Sequence, residues 1–168
     1  MSAFSTDFDY RRGLRTLLDH GVDFVVIGGV AAVAHGSPRL TNDLDVCFAV
    51  DPSNLEALGE ALVALNARLR GVDDDVPFVP DAATLRRIDV LTLDTDAGAF
   101  DVLARPAGMS TYAALRKAAV RVDFGGVVAR IASIPDLIAM KRAAGRPKDL
   151  ADIAELEAIL RLGGEVGA

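Results

Sequence analysis

Asp43 and Asp45 stand two residues apart in the segment Asp-Leu-Asp-Val-Cys-Phe-Ala-Val, residues 43–50. Side chains alternate along an extended chain, so residues at this spacing share a face. Leu44, Val46, Phe48 and Val50 then take one face of a strand, and the two carboxylates take the other. Like charges held side by side must be relieved by a cation, by a proton or by solvent. Upstream, Gly28-Gly29 follows the apolar run Phe24-Val25-Val26-Ile27 and precedes Val30 to Ala34, a succession of strand, glycine turn and helix. Glycines there let backbone approach a ligand closely, and the helix start offers free N–H groups and the positive end of a dipole, a cradle for phosphate. Arg39 and Thr41 lie between the two features, and the whole set from Gly28 to Asp45 falls within 18 residues. Magnesium accepts carboxylate and phosphate oxygens together. A third carboxylate would let such a pair hold two ions roughly 3.5–4 Å apart, the arrangement that clamps an in-line phosphoryl displacement.

The elements that position these residues can be read from periodicity and punctuation. Phe8, Leu14, Leu17 and Leu18 predict an amphipathic helix over 7–20, ended by Gly21. After the strand at 43–50, Pro52 and Ser53 open a helix to about Asn66, striped by Leu55, Leu58, Leu62 and Leu65. Residues 69–84, with Gly71, Asp73-Asp74-Asp75, Pro77 and Pro80, have the composition of an exposed loop. Ile88–Leu93 and Phe100–Leu103 predict a hairpin, Thr111–Ala119 a helix, and Val120–Phe124 with Val127–Ala132 a second hairpin joined by Gly125-Gly126. Ser133 and Asp136 predict a capped helix ended by Gly145, and Pro147 opens a last one carrying Ile153, Leu156, Ile159 and Leu160. This order implies an α/β (α+β) fold, a mixed central sheet flanked by helices. The length of 168 residues favours one domain over 1–168, with C-terminal helices at about 133–162 packed on it.

Composition narrows the function classes. One cysteine, Cys47, and two histidines, His20 and His35, leave neither a disulfide nor a cysteine or histidine zinc cage. The longest apolar stretch, Phe24 to Ala34, is about half of the ~20 residues a bilayer requires and is interrupted by glycine, so no membrane span is expected. The N-terminus carries Asp7, Asp9, Arg11 and Arg12 with no apolar run of a secretion signal, which places the expectation in the cytoplasm. A net charge of -6 speaks against a general nucleic-acid coat. Residues 105–148, however, hold 9 basic and 2 acidic side chains, against 8 and 17 in residues 1–104 and 1 and 5 in residues 149–168. That basic segment is either a solvated mixed surface or a face turned to an anionic ligand.

Taken together, Gly28-Gly29 with Ala31-Ala32, His35-Gly36, Arg39, Thr41 and Asp43-Leu44-Asp45 resemble the signature of the DNA polymerase beta-like nucleotidyltransferase superfamily. The likeness is nearer to its minimal bacterial branch, including the AbiEii-type toxins. Ser133, Asp136-Leu137-Ile138, Lys141, Arg146-Pro147-Lys148-Asp149-Leu150 and Asp152 are similar to the C-terminal helical motif of those proteins, and the resemblance spans roughly residues 20 to 160. It implies that Gly28 and Gly29 lie against a nucleoside triphosphate and that Asp43 and Asp45 bind magnesium. The third carboxylate is implied to come from a later strand, where Asp101 in Phe100-Asp101-Val102-Leu103 is the best match and Asp89 in Ile88-Asp89-Val90-Leu91 has the same local look. Asp101 would then take a share of a metal ion and the proton of an attacking hydroxyl. Lys141 resembles a lysine that neutralises phosphate charge. Arg39 and Thr41 suit either phosphate orientation or the support of the Asp43 loop. His35 fits a helix cap, and Asp149 and Asp152 fit a helix first turn, pairing with Arg146 or Lys148. Many wider relatives have Gly-Ser where this chain has Gly28-Gly29, so a hydroxyl contact to phosphate is missing.

The resemblance implies a magnesium-dependent enzyme, with two ions and a bound NTP, that moves an NMP onto a hydroxyl of tRNA, protein or a small molecule. A toxin role with an antitoxin protein partner follows from the nearer branch. The alternative is a non-catalytic nucleotide- or partner-binding module on the same fold.

Overall fold

A computed structural model describes residues 8–73 and 76–166. Asp7, Asp74 and Asp75 of the sequence reading lie outside the described residues. Helix α1 (Tyr10–Asp19) is capped by Asp9, whose carboxylate accepts the Arg12 N–H at 3.1 Å. Strand β1 (Phe24–Ile27) runs directly into helix α2 (Gly28–Ala34), which ends at His35. Strand β2 (Asp43–Phe48) follows, then helix α3 (Pro52–Ala64), started by Asp51 as its cap and Pro52 in its first turn.

The segment read as an exposed loop is in part ordered structure. A two-residue edge strand β3 (Arg68–Leu69) runs into its start and a one-turn helix α4 (Ala82–Arg86), capped by Asp81, begins before its end. Two residues are too few for a period-2 signal, and the surrounding glycine, prolines and aspartates dominate the local composition. Strand β2 also stops short of the predicted Val50. The Ala49 N–H turns to the Asp23 carbonyl at 3.2 Å, and Asp51 then caps α3, which leaves Val50 48% exposed instead of on the apolar face.

Strands β4 (Val90–Thr95) and β5 (Gly98–Leu103) form the first predicted hairpin. Helix α5 (Tyr112–Ala118) leads into the second, β6 (Val120–Asp123) and β7 (Val128–Ile131). Gly125 and Gly126 both adopt positive φ, 78° and 96°, the conformation that a tight two-residue connection demands. In helix α6 (Ile134–Ala144) the Ser133 hydroxyl accepts the Asp136 N–H and donates to the Asp136 carboxylate, and Gly145 closes the helix in the left-handed conformation. Helix α7 (Pro147–Val166) packs against α6.

The seven strands form one mixed sheet in the order β3-β4-β5-β2-β1-β7-β6, with β2–β5 and β1–β7 parallel and the other neighbours antiparallel. Leu44, Val46 and Phe48 of β2 are buried in a core shared with Leu14 and Leu17 of α1 and Leu55, Leu58 and Leu62 of α3. Leu44 presses so near α1 that a Cβ on Gly13 would lie 3.0 Å from its Cδ2. The strand's other face is left to Asp43, Asp45 and Cys47. Cys47 is buried there, and burial pushes its thiol up to about 12, so it remains an inert S–H beside the Met109 thioether.

Asn54 ties the start of α3 to the ends of β1 and β2. Its side-chain oxygen accepts the Asp23 N–H at 2.7 Å, and its amide donates to the carbonyls of Asp23 and Ala49 at 3.0 and 2.7 Å. Only 5% of Asn54 is exposed, and its loss leaves the Asp23 N–H and the Ala49 carbonyl without that partner, while the Asp23 carbonyl keeps the Ala49 N–H. Asn54→Ala is expected to lower stability by about 2–4 kcal/mol in urea unfolding, because unpaired buried polar groups cost about 1–3 kcal/mol each and the chain relaxes in part.

Candidate active site

The parallel pairing of β2 with β5 sets Asp45 opposite Asp101 and Asp43 opposite Ala99. Opposed residues point to the same side of a sheet. Oxygens of Asp43, Asp45 and Asp101 accordingly lie within 4.8 Å of one another, each side chain half-buried. Asp89 stands apart: it lies just before β4, its side chain is 70% exposed, and it pairs with Arg105 at 3.4 Å.

Beside the triad, the antiparallel register of β1 and β2 sets Ile27 opposite Asp45, so the next residue, Gly28, turns across the carboxylate. Gly28 has φ +68°, and a Cβ built on it would collide with Asp45 Oδ2 and lie 2.9 Å from its Cγ. A Cβ on Gly29 would come 2.5 Å from Thr41 Oγ1 and 2.8 Å from Thr41 Cβ. Both glycines therefore admit this chain's own side chains, a constraint beyond the ligand approach that the sequence suggested. Helix α2 begins at Gly28 with Ile27 as a cap that contributes no side-chain hydrogen bond. The positive end of its dipole is thus next to the carboxylates. Thr41 is 7% exposed, and its hydroxyl donates to the Asp43 carbonyl at 3.3 Å and reaches Asp43 Oδ1 at 3.5 Å.

Arg39 and Lys141 are engaged elsewhere. Arg39 Nε lies 2.7 Å from Asp152 Oδ1, an ion pair without the alignment of a hydrogen bond, and 3.9 Å from Glu155. Lys141 Nζ donates to Asp152 Oδ2 at 3.0 Å and lies 3.5 Å from Asp149. Asp149, 1% exposed, accepts from the Arg146 backbone and guanidinium, and those hydrogen bonds hold its carboxyl down at about 2. The Ser37 hydroxyl donates to Glu155, and a His35 ring nitrogen contacts the Ala132 carbonyl at 2.8 Å. Loop, α6 and α7 are so joined in one polar clasp. Arg142 pairs with Glu157 as well, so α6 spends its basic side chains on the acidic face of α7.

Two residues near the sheet's functional face were not singled out from sequence. Arg70, just past β3, donates to Asp101 Oδ1 at 2.9 Å, to the Leu93 carbonyl at 2.8 Å and to Asp94 at 3.3 Å. It lay inside a stretch that reads as loop, and no local signal ties it to Asp101. Tyr112 donates to Asp23 at 2.7 Å, where Arg116 also donates at 3.1 Å, and burial, then that hydrogen bond, push its phenol upward. A concavity of about 420 Å³ between α3 and α4, lined by Glu56, Glu60, Val63, Val79 and Pro80 among others, holds no triad residue. Charge, not volume, marks the site.

Three carboxylates crowd one another here, and among the described residues the single cation paired with them is Arg70, on Asp101. Burial raises the Asp45 carboxyl from its ordinary 3.8 to about 8, with Asp43 and then Asp101 adding to the rise. Asp101 is also raised by burial, and Arg70 opposes that rise. A divalent cation with oxygen ligands fits such a donor set.

The folded chain holds a proton on Asp45 that the unfolded chain releases near pH 4, so stability falls as pH rises from about 4 to 8. In chelator, the slope attributable to Asp45 should approach about 1.4 kcal/mol per pH unit. Denaturant midpoints from pH 5 to 8 should show that slope in the parent and its loss in Asp45→Asn. Gly28→Ala should cost about 2–4 kcal/mol in the same assay, since positive φ alone costs an L-residue about 1–2 kcal/mol and the collision with Asp45 adds to it.

No curated protein matches the sequence. Among solved structures, the crystal structure of a "putative nucleotidyltransferase" from Thermotoga maritima matches at 15% identity and a TM-score of 0.49, over 93% of each chain. A family model described as a nucleotidyltransferase of unknown function, DUF6036, matches residues 11–163, a span that takes in the triad, both glycines and the whole clasp. This chain therefore belongs to the DUF6036 nucleotidyltransferase family.

Proposed function

We propose that the chain moves a nucleoside monophosphate from a nucleoside triphosphate to a hydroxyl acceptor, with magnesium held by Asp43, Asp45 and Asp101. The observation that carries this reading is the convergence of those three carboxylates within 4.8 Å, beside the Gly28-Gly29 turn. Two magnesium ions, bound with the NTP, would supply neutralising charge and orientation for the attacking and leaving oxygens. The acceptor oxygen bonds to the α-phosphorus, the bond from that phosphorus to the pyrophosphate oxygen breaks, and the hydroxyl proton passes to Asp101. Asp101 suits the task because the Arg70 guanidinium at 2.9 Å favours its ionised, proton-accepting form. Gly28 and Gly29 bring backbone to the triphosphate, and Thr41 holds the Asp43 end of the site. Arg39 and Lys141 supply cationic charge to phosphate, exchanging part of their hold on Asp152 for it.

Within the wider nucleotidyltransferase superfamily we place the chain nearest the minimal bacterial branch similar to the AbiEii-type toxins, on the Gly-Gly, Asp-x-Asp and C-terminal helical motifs. That placement assigns a tRNA or protein acceptor ahead of a small molecule, an antitoxin protein as partner and the cytoplasm as compartment. Among the described residues no helix is long and apolar enough to cross a membrane.

The test is transfer from each of four α-labelled NTPs, with magnesium, total tRNA and cell protein, beside an Asp43→Ala/Asp45→Ala double variant. Label should move to one acceptor class in the parent and fall by at least about a thousandfold in the variant, the scale expected when the charge-stabilising centre of phosphoryl transfer is removed. NTP binding with no transfer under any condition would instead identify a binding module.

A further inference from the structure

The main-chain ladder continues one residue past β3, where the Arg70 N–H donates to the Thr92 carbonyl at 3.0 Å. Thr92 is opposite Asp101, and Asp101 is opposite Asp45. Arg70, Thr92, Asp101 and Asp45 therefore form one row across four adjacent strands. The Arg70 guanidinium is fixed in that row by the Leu93 carbonyl and Asp94 on one side and by Asp101 on the other. Among the described residues, Arg70 makes the one ion pair to a triad carboxylate, and its side chain is 35% exposed against 18% for Asp101.

We propose that Arg70 is a built-in counter-cation of the site, which holds Asp101 in the metal-free chain and competes with a divalent cation for that carboxylate. The inference rests on the proposed assignment of the triad as a divalent-cation site. An arginine has no neutral form to adopt at ordinary pH, so its charge stays when the ion arrives. The ion must then be bound against a like charge a few ångströms away, while Leu93 and Asp94 keep the guanidinium from leaving. Arg70 thereby sets how weakly the free protein holds metal and leaves firm binding to the moment when triphosphate brings its own negative charge.

Mn²⁺ is the probe, with affinity measured by calorimetry and by the loss of free-ion electron paramagnetic resonance signal, in the absence of nucleotide. Arg70→Met and Arg70→Gln should each bind Mn²⁺ roughly tenfold more tightly than the parent, the order that Coulomb's law gives for a unit charge about 6 Å from a divalent ion under water-like screening. Arg70→Lys keeps the charge and should stay within about threefold of the parent. The Mn²⁺-induced rise in melting temperature should be larger in Arg70→Gln than in the parent, which provides a readout should Arg70→Met fold poorly. Unchanged or weaker binding in both neutral variants, with binding intact in the parent, would overturn the role of Arg70 alone. Absence of binding in parent and variants together, with Asp45→Asn no different, would overturn the metal site as well.

Discussion

Three carboxylates approach one another in a space that cannot hold three full negative charges without a cation or a proton. The parallel pairing of β2 with β5 creates that crowding, because it brings Asp101 level with Asp45. Much of the surrounding architecture answers to it. The turn at Gly28 leaves room for the Asp45 carboxylate, the start of α2 sets a partial positive charge nearby, and Arg70 reaches over from the sheet edge. Thr41 fixes the opposite end by gripping Asp43 through its backbone. An uncomplexed chain thus carries an internal cost at the place where it would act, the usual bargain at functional sites.

The polar clasp is a separate device with a supporting task. Arg39, Lys141 and Arg146 meet Asp149, Asp152 and Glu155 at the junction of the α2–β2 connection with α6 and α7. Exposed pairs of this kind contribute little one by one, but Asp149 is almost wholly buried and has its oxygens satisfied by a lysine and an arginine. These pairs hold the connection that leads to Thr41 and Asp43 against two helices.

How much of this was legible in the sequence depended on the range of the interaction. Asp43 and Asp45 could be assigned to one face because strand periodicity is local. Ser133, Gly145, Pro147 and the Gly125-Gly126 turn likewise declare their elements through chemistry confined to a few residues. The choice between Asp101 and Asp89 was not local, since it turns on which residue the parallel register sets opposite Asp45. Arg70 was hidden for the same reason and by composition, because a two-residue strand among glycine, prolines and aspartates carries no period. The basic segment shows what a count along the chain leaves out: of its nine cations, Lys141 and Arg142 are directed by α6 to acidic side chains of α7. Charge counts along a chain do not reveal which charges fold onto one another.

The clasp also imposes an order in time. Ser37 and Glu155 are 118 positions apart, so on the ribosome the segment leading to Thr41 emerges long before the helix that fastens it. The sheet pairings that assemble the carboxylates are complete once β5 is made, whereas the fastening waits for α7. A chain made as far as β5 therefore contains all three carboxylates but not the α7 side chains that fasten the connection leading to Thr41. Contacts so distant in sequence are the last that synthesis makes available, after the sheet pairings of the carboxylates.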